Sequence, residues 1–494
     1  MTEARRAKEP ALREATFPDC NYSFDTFSSC ALEGVASVIA GIVGASIVIH
    51  SPQGCAMTVS SAYDAHEVDM TRRKVACTRL FESEVVMGAS KKLRDTVVLA
   101  DRTFGTEVIF VVGTCAADII GEDIDGLCKS LQKEVRARLV PVLAGGFRGN
   151  EYDGMEECLA RLMDLVDTSA EARINRSELS RLSEFELSSR SKQPKLPGSY
   201  GLLCEGKTNS KPKKFVNLVL PQASVNPTWW ADLYWVVSVL ERMGVGARVL
   251  THNTPLEELK MVGESEGSLL MSLDSGYGFA KRLEKEFGVS ILLENVPLPV
   301  GVENTKRWLM ELGEFFSRED VAEEIARRGE ERVLNILRKR ALMIVPRYHN
   351  LQVAVCSDAS MAISLLRMLS SELEMIPEAV AIRECSRMSS NHVRILLKKE
   401  LMELGLDSLV IFDADGYKVS RMLEEVEVDA VFGSAWEKYI AEKAGVKLAF
   451  DIFTPTNRDV YLDRPYFGYE GMLNMLEIVA NDWERAFRSK KIVY

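Results

Sequence analysis

The chain alternates strand-like apolar runs with amphipathic helical segments, in three successive blocks. "EVIFVVG" (107–113) precedes a helical stretch near 121–135, and "RLVPVLAG" (138–145) precedes one near 152–166. "FVNLVLP" (215–221) leads to a helix at 228–243, followed by "GARVLT" (246–251), "GSLLMSL" (267–273), a helix at 277–287 and "VSILLEN" (289–295). "LQVAVCS" (351–357) leads to 359–372, then "DSLVIFDA" (407–414), a helix at 417–425 and "VDAVFGS" (428–434). Strands that are apolar at every position are buried on both faces, as in parallel sheets covered by crossover helices. The pattern predicts an α/β protein with three Rossmann-like, doubly wound parallel-sheet domains, at 25–168, 215–317 and 351–494. Around them lie an N-terminal extension (1–24) and a polar linker (169–214) that holds "SSRSKQPKLPGS". A linking helix falls within 318–350, where "REDVAEEIARRGEERVLNILRKR" reads as long and solvated.

A chain of 494 residues needs more than one core. Its 61 basic and 72 acidic side chains leave a formal charge of −11, which offers no basic surface for a nucleic acid. No apolar run reaches the roughly 20 residues of a membrane span. The opening "MTEARRAKEP" is followed by no apolar segment of the kind a secretory signal carries. The expectation is a cytoplasmic protein, with neither membrane nor nucleic acid among its partners.

Ten cysteines in a reducing compartment are buried, reactive or metal-bound rather than a disulfide framework. Cys128, Cys158, Cys204, Cys356 and Cys385 read as core or linker thiols. Cys55 in "VIHSPQGC" and Cys115 in "VIFVVGTC" differ: each sits on a turn just beyond an apolar strand. Open parallel sheets bind ligands at that end. Cys30, in "FSSCALEGVASVIAG", precedes a helix of small residues, whose dipole favours a thiolate and whose small side chains let a bulky group approach. The separations are 55 − 30 = 25 and 115 − 55 = 60 residues, with no CxxC, so a zinc knuckle is not indicated. Three thiolates on separate turns can present themselves to one large iron–sulfur cluster; three unrelated buried thiols would leave the same spacing.

Longer stretches favour the cluster. "SCALEGVASVIAGIVGASIVIHSPQGCA", "ACTRLFESEVVMGASKKL", "VVGTCAADIIGEDIDGL" and "PYFGYEGMLNML" together resemble the nitrogenase component 1 superfamily. Their order and spacing is most similar to the β-type (K-like) subunit, and the resemblance spans nearly the whole chain. It implies that Cys30, Cys55 and Cys115 ligate half of a P-cluster-like iron–sulfur centre of the 8Fe-7S type. An α-like subunit would supply the other half in an α2β2 heterotetramer. Cys77 in "VACTRL" and Cys20 in "FPDCNYSF" are further candidates near the cluster. Gly146, in "LAGGFRGNEYDG", occupies the place of a serine that in β-type subunits joins the cluster on oxidation. The α-type cofactor cysteine has no counterpart in "SLDSGYGFAKRL", which offers Asp274 and Ser275, and "DIFTPTNRDVYLDRPYFGYEG" has no histidine. The "GYG" at 276–278 lacks the third glycine of a dinucleotide fingerprint. His50 reads as a residue that orders its turn.

The resemblance implies an electron-relaying subunit of a nitrogenase-like, ATP-dependent reductase. An iron protein with a 4Fe-4S cluster would be the donor, and a metallocofactor in the α-like partner the acceptor. "CTRLFESEVVMGA" and the missing serine point to a paralogue, for which a methylthio-alkane reductase that cleaves C–S bonds is the preferred expectation. A nitrogenase β subunit, a tetrapyrrole or F430-pathway reductase subunit and a cofactor-assembly scaffold are the alternatives. Met87, followed by Gly88 and Ala89, occupies the place of an exposed donor-contacting phenylalanine. Glu82, Glu84, Lys91 and Lys92 would flank it on one amphipathic helix.

Overall fold

β-Branched, uniformly apolar segments form the centres of three parallel sheets in the structure, a computed structural model that describes residues 12–17, 29–66, 68–166, 214–219 and 226–489. The first sheet has the order β3-β2-β4-β5, from Val75–Cys77, Ala45–His50, Val108–Gly113 and Arg138–Leu143. The second has the order β10-β9-β6-β7, from Ser290–Leu292, Gly267–Leu270, Lys214–Val219 and Val245–Val249. The third is β13-β12-β11-β14-β15, from Leu409–Ile411, Ile376–Ile382, Gln352–Ser357, Ala430–Gly433 and Leu448–Asp451. A short parallel pair, β1 (Ile42–Val43) with β8 (Thr254–Pro255), ties the first sheet's entrance to the second region.

Every residue of β2 and of β4 is buried, as strands covered on both faces must be. Seven helices belong to the described residues around the first sheet: α1 (Ala31–Ala40), α2 (Cys55–Ala65), α3 (Glu82–Met87), α4 (Ser90–Phe104), α5 (Cys115–Ile119), α6 (Ile124–Leu131) and α7 (Glu151–Leu162). α1 and α7 cross closely because glycines stand at the contact. A methyl group on Gly34 would lie 1.8 Å from the Glu151 carbonyl oxygen, and one on Gly154 would lie 2.0 Å from that of Ala31.

Three details differ from the sequence expectation. "FESEVVMGASKKL" forms two helices, because Gly88 at φ 97° breaks the path between α3 and α4. The linking helix, Glu319–Tyr348, is not solvated throughout: Val321, Ala322, Ile325, Ala326 and Val333 are buried against its neighbours. Part of the N-terminal extension is structured, since Glu14 bridges to Val410 at β13 and extends the third sheet's edge. Cys20 and the 169–213 part of the polar linker lie outside the described residues. Among the described residues no helix is long and apolar enough to cross a membrane.

Candidate metal centre

The first sheet ends in a row of turns. Register pairs Ile49 with Cys77, His50 with Gly113, and Gly113 with Leu143. The chain therefore leaves β3, β2, β4 and β5 at one level; Cys77 is the last residue of β3, and Cys55, Cys115 and Gly146 follow shortly after the other ends. Cys55 is the first residue of α2 and Cys115 the first of α5. Cys30 is the N-cap of α1, with extended backbone (φ −80°, ψ 169°), and pairs in an antiparallel bridge with Asn150, the N-cap of α7. The α1–α7 crossing thus delivers Cys30 to the same edge that the strands deliver the other two thiols. A helix N-terminus favours a thiolate over a thiol.

Gly146 joins them. Its N–H donates to Cys115 Sγ at 2.9 Å. A β-carbon built on it would stand 3.4 Å from Cys115 Sγ and 3.6 Å from Cys30 Cβ. Burial pushes the Cys55 thiol above its ordinary value; the Ser51 hydroxyl pulls it back, the neighbouring Cys115 and Cys30 push it up, and the Thr114 hydroxyl pulls it down. All three cysteines are partly exposed. Among the described residues no three His, Cys, Asp or Glu side chains close on a point small enough for one metal ion. The thiols line an open edge that suits a larger group. Arg148 clamps the loop over it with a two-pronged ion pair to Asp118, at 2.8 and 2.9 Å.

Cys77 shares the Ser51 hydroxyl with Cys55. Its Sγ is 3.5 Å from the Ser51 hydroxyl and accepts the Arg79 N–H at 3.4 Å. His50 is fully buried; its Nδ1 is 3.2 Å from Thr78 Oγ1, and its pKa is lowered by burial against the opposing pull of Glu122. It orders the turn, as the sequence predicts. Ser51, Thr114 and the Gly146 N–H were not singled out as sulfur partners by sequence; the strand-end position common to all three is the signal that marks them.

Around the thiols lie exposed apolar side chains: Met57, Phe81, Val86, Met87, Ile119 and Phe147. Met87 is 85% exposed, which excludes a core role. Glu82 is exposed, whereas Glu84 is half-buried and engaged by neighbouring groups. Glu84 accepts the Phe81 N–H at 2.8 Å and pairs with Lys92 at 3.1 Å.

Asp274, at the place where an α-type cofactor cysteine would fall, is fully buried and accepts the Ser272 hydroxyl at 2.6 Å. The adjoining cavity, lined by Trp229, Asp232, Met271, Asp274, Met361 and Phe467 among others, holds about 40 Å³.

Residues 30–484 match the profile of a family described as nitrogenase component 1 type oxidoreductase. The chain is 24% identical to a nitrogenase molybdenum-iron protein alpha chain from Methanothermobacter marburgensis, over 94% of this chain and 88% of that one. It is 22% identical to the nitrogenase iron-molybdenum cofactor biosynthesis protein NifE of Methanococcus maripaludis, over 97% and 89%. A nitrogenase molybdenum-iron protein beta chain of Methanococcus maripaludis is 24% identical, over 92% of each. Among solved structures, nitrogenase Cp1 at pH 6.5 superposes with a TM-score of 0.72 at 17% identity, covering 96% of both chains.

Proposed function

The chain belongs to the nitrogenase component 1 type oxidoreductase family, and we propose that within it this protein is the β-type, electron-relaying subunit of a nitrogenase-like reductase. The observation that carries the reading is the convergence of Cys30, Cys55 and Cys115, each at a helix start: Gly146 lies against Cys115 and Cys30, and Cys55 feels the charge of both. Thiolates so placed fit half of a P-cluster-like iron–sulfur group, and the open edge leaves the other half to an α-like partner in an α2β2 assembly. When bound, such a group accepts and passes on single electrons.

The chain's own residues hold and tune it. Cys30 and Cys55 stand at the starts of α1 and α2, and the N–H of Gly146 donates to Cys115 Sγ, a contact of the kind that tunes a sulfur ligand. Ser51 and Thr114 place hydroxyls at Cys55, which lowers the electron density on that sulfur. The exposed apolar residues, with Met87 outermost, form the surface on which an ATP-driven iron protein would dock. Glu82 supplies the exposed carboxylate there; Glu84 shapes the helix that presents it.

The buried Asp274, where the sequence reading expects the cysteine of an α-type subunit, supports a β-type role over an α-type one. The departures at Gly146 and in "CTRLFESEVVMGA" point to a paralogue, and the preference for reductive C–S cleavage of a methylthio-alkane among the paralogues rests on resemblance and elimination. The similarity to NifE favours a second reading, an assembly scaffold. The deciding experiment is turnover by the anaerobic complex with its iron protein and ATP. Release of a thiol and an alkane or alkene from a methylthio-alkane supports the reading. Reduction of dinitrogen alone moves it to a nitrogenase β subunit, and transfer of a cofactor without turnover makes it a scaffold.

A further inference from the structure

An open basin of about 490 Å³, a volume typical of small-molecule sites, lies between elements of the second and third sheet regions. One wall is Asn226–Thr228, just before the helix Trp229–Arg242. The loop Asn457–Tyr466 forms another, and the helix Gly468–Ser489 a third, through Asn474, Glu477 and Asn481. Hydrogen bonds between the two regions fix these walls. Asp232 accepts the Asn226 Nδ2 at 2.7 Å on one oxygen, and the Tyr466 and Phe467 N–H groups at 2.6 and 2.9 Å on the other. Thr228 Oγ1 donates to the Arg464 carbonyl at 2.5 Å, and Asn474 Nδ2 to the Pro465 carbonyl at 3.1 Å.

Arg458 stands half-buried in this frame. Its Nη2 donates to the Ile452 carbonyl and to the buried Tyr466 hydroxyl, each at 3.3 Å, and these bonds set the plane of the guanidinium. Its Nε is buried with no hydrogen-bond partner, and no carboxylate among the described residues pairs with it. The acids nearby are otherwise placed. Glu477 is taken by Arg464 at 2.8 Å, Asp451 accepts the Asn457 N–H at 2.9 Å, Asp482 has a polar partner of its own, and Asp459 is exposed. A cation held in place and partly desolvated carries a cost that no counter-charge offsets here. A guanidinium fork fixed in one plane is matched to the paired oxygens of a carboxylate or phosphate.

We propose that the basin binds a small organic anion, whose carboxylate or phosphate group is held by Arg458. Asn481, exposed on the wall and without a side-chain partner among the described residues, faces the rest of that molecule. The walls come from both sheet regions, so a bound anion adds a link between them. None of these residues belongs to the thiol edge, and the inference stands apart from the electron-relay reading.

The test is calorimetric titration of the complex as purified, at fixed ionic strength. Succinate and inorganic phosphate are the two probes, and succinamide is the uncharged counterpart of the first. Saturable binding of at least one anion, with none of succinamide, is the expected result, and the tighter of the two tells whether the site is built for a carboxylate or a phosphate. Arg458→Gln should weaken the preferred anion at least tenfold, and Arg458→Lys less, since it keeps the charge and loses the fork. Asn481→Asp, at an exposed position, should weaken it several-fold by placing a like charge in the basin. Arg421→Gln, exposed on the helix Gly416–Glu425, should leave it unchanged. If Arg458→Gln fails to fold, Asn481→Asp decides. No saturable binding of either anion, equal binding of succinamide, or an affinity indifferent to both the Arg458→Gln and Asn481→Asp changes overturns the site.

Discussion

Replacing Gly34 with alanine should empty the thiol edge while sparing most of the fold. The added methyl group would sit 1.8 Å from the Glu151 carbonyl oxygen and 2.8 Å from the Met155 amide nitrogen. Reaching ordinary contact at 3.4 Å requires α1 and α7 to separate by at least 3.4 − 1.8 = 1.6 Å. The obstacle is backbone, which no rotamer change relieves. Overpacking of this kind costs about 3 kcal/mol, at the upper end of the usual range, and the better helix propensity of alanine returns about 0.5–1 kcal/mol. At 2–4 °C per kcal/mol for a domain of this size, the melting temperature should fall by roughly 5–10 °C. The functional loss should be larger. Cys30 lies four residues away on the same helix end, and constellations of ligands tolerate displacements of only about 0.5 Å. Gly54→Ala is the control: it adjoins Cys55, has helical φ, and a β-carbon there meets nothing within 4 Å. Iron per chain and thermal unfolding are measured on anaerobic complexes of both variants. Gly34→Ala should hold less than half the wild-type iron and Gly54→Ala nearly all of it. Full iron and an unshifted melting temperature in Gly34→Ala would refute the role given to the helix crossing.

Met87→Glu, at a residue 85% exposed, should change stability by less than about 0.5 kcal/mol yet lower turnover driven by the iron protein and ATP, with iron content unchanged; equal loss of iron and turnover would contradict the docking role. Gly146→Ser should fold, since its β-carbon meets only ordinary contacts, and should alter the EPR signal of the oxidised centre because a hydroxyl then stands beside Cys115. Arg383 and Glu437 form a buried two-pronged pair at 2.8 and 2.9 Å, so Arg383→Ala should cost about 3–5 kcal/mol and Arg383→Met with Glu437→Leu clearly less, as read by thermal unfolding. Asp232 is raised in the folded chain to about 7 from an unfolded value of about 3.9, so the native state binds the extra proton between those values. That contribution is complete at low pH and is lost as pH rises through 7. Asp232→Asn should flatten the decline in melting temperature between about pH 5 and pH 8.

The strand-end thiols were legible because apolar runs such as "IVIH" and "VIFVVG" mark their own termini, and the three cysteines follow helix-forming or turn-forming residues directly. β3, β12 and β15 were not. β3 is the three-residue "VAC" behind a basic stretch, β12 is interrupted by Pro377 and Glu378, and β15 is only "LAFD". Sheet neighbours rather than local pattern make these strands. The helix crossing at Gly34 and Gly154 was equally hidden, since a glycine that admits another backbone looks in sequence like any glycine. The contacts of Glu84 with the Phe81 N–H and Lys92 were hidden, since they depend on α3 starting at Glu82, which sequence did not locate.

Iron content with EPR spectroscopy, on the anaerobic complex carrying Cys30→Ala, Cys55→Ala and Cys115→Ala singly and together, tests the central claim most directly. The account predicts a brown wild-type complex with a multi-iron signal, loss of most iron from Cys55→Ala, and no cluster in the triple variant, while Cys128→Ala at a buried thiol outside the edge keeps the wild-type signal. A triple variant with the wild-type iron content and spectrum would contradict it.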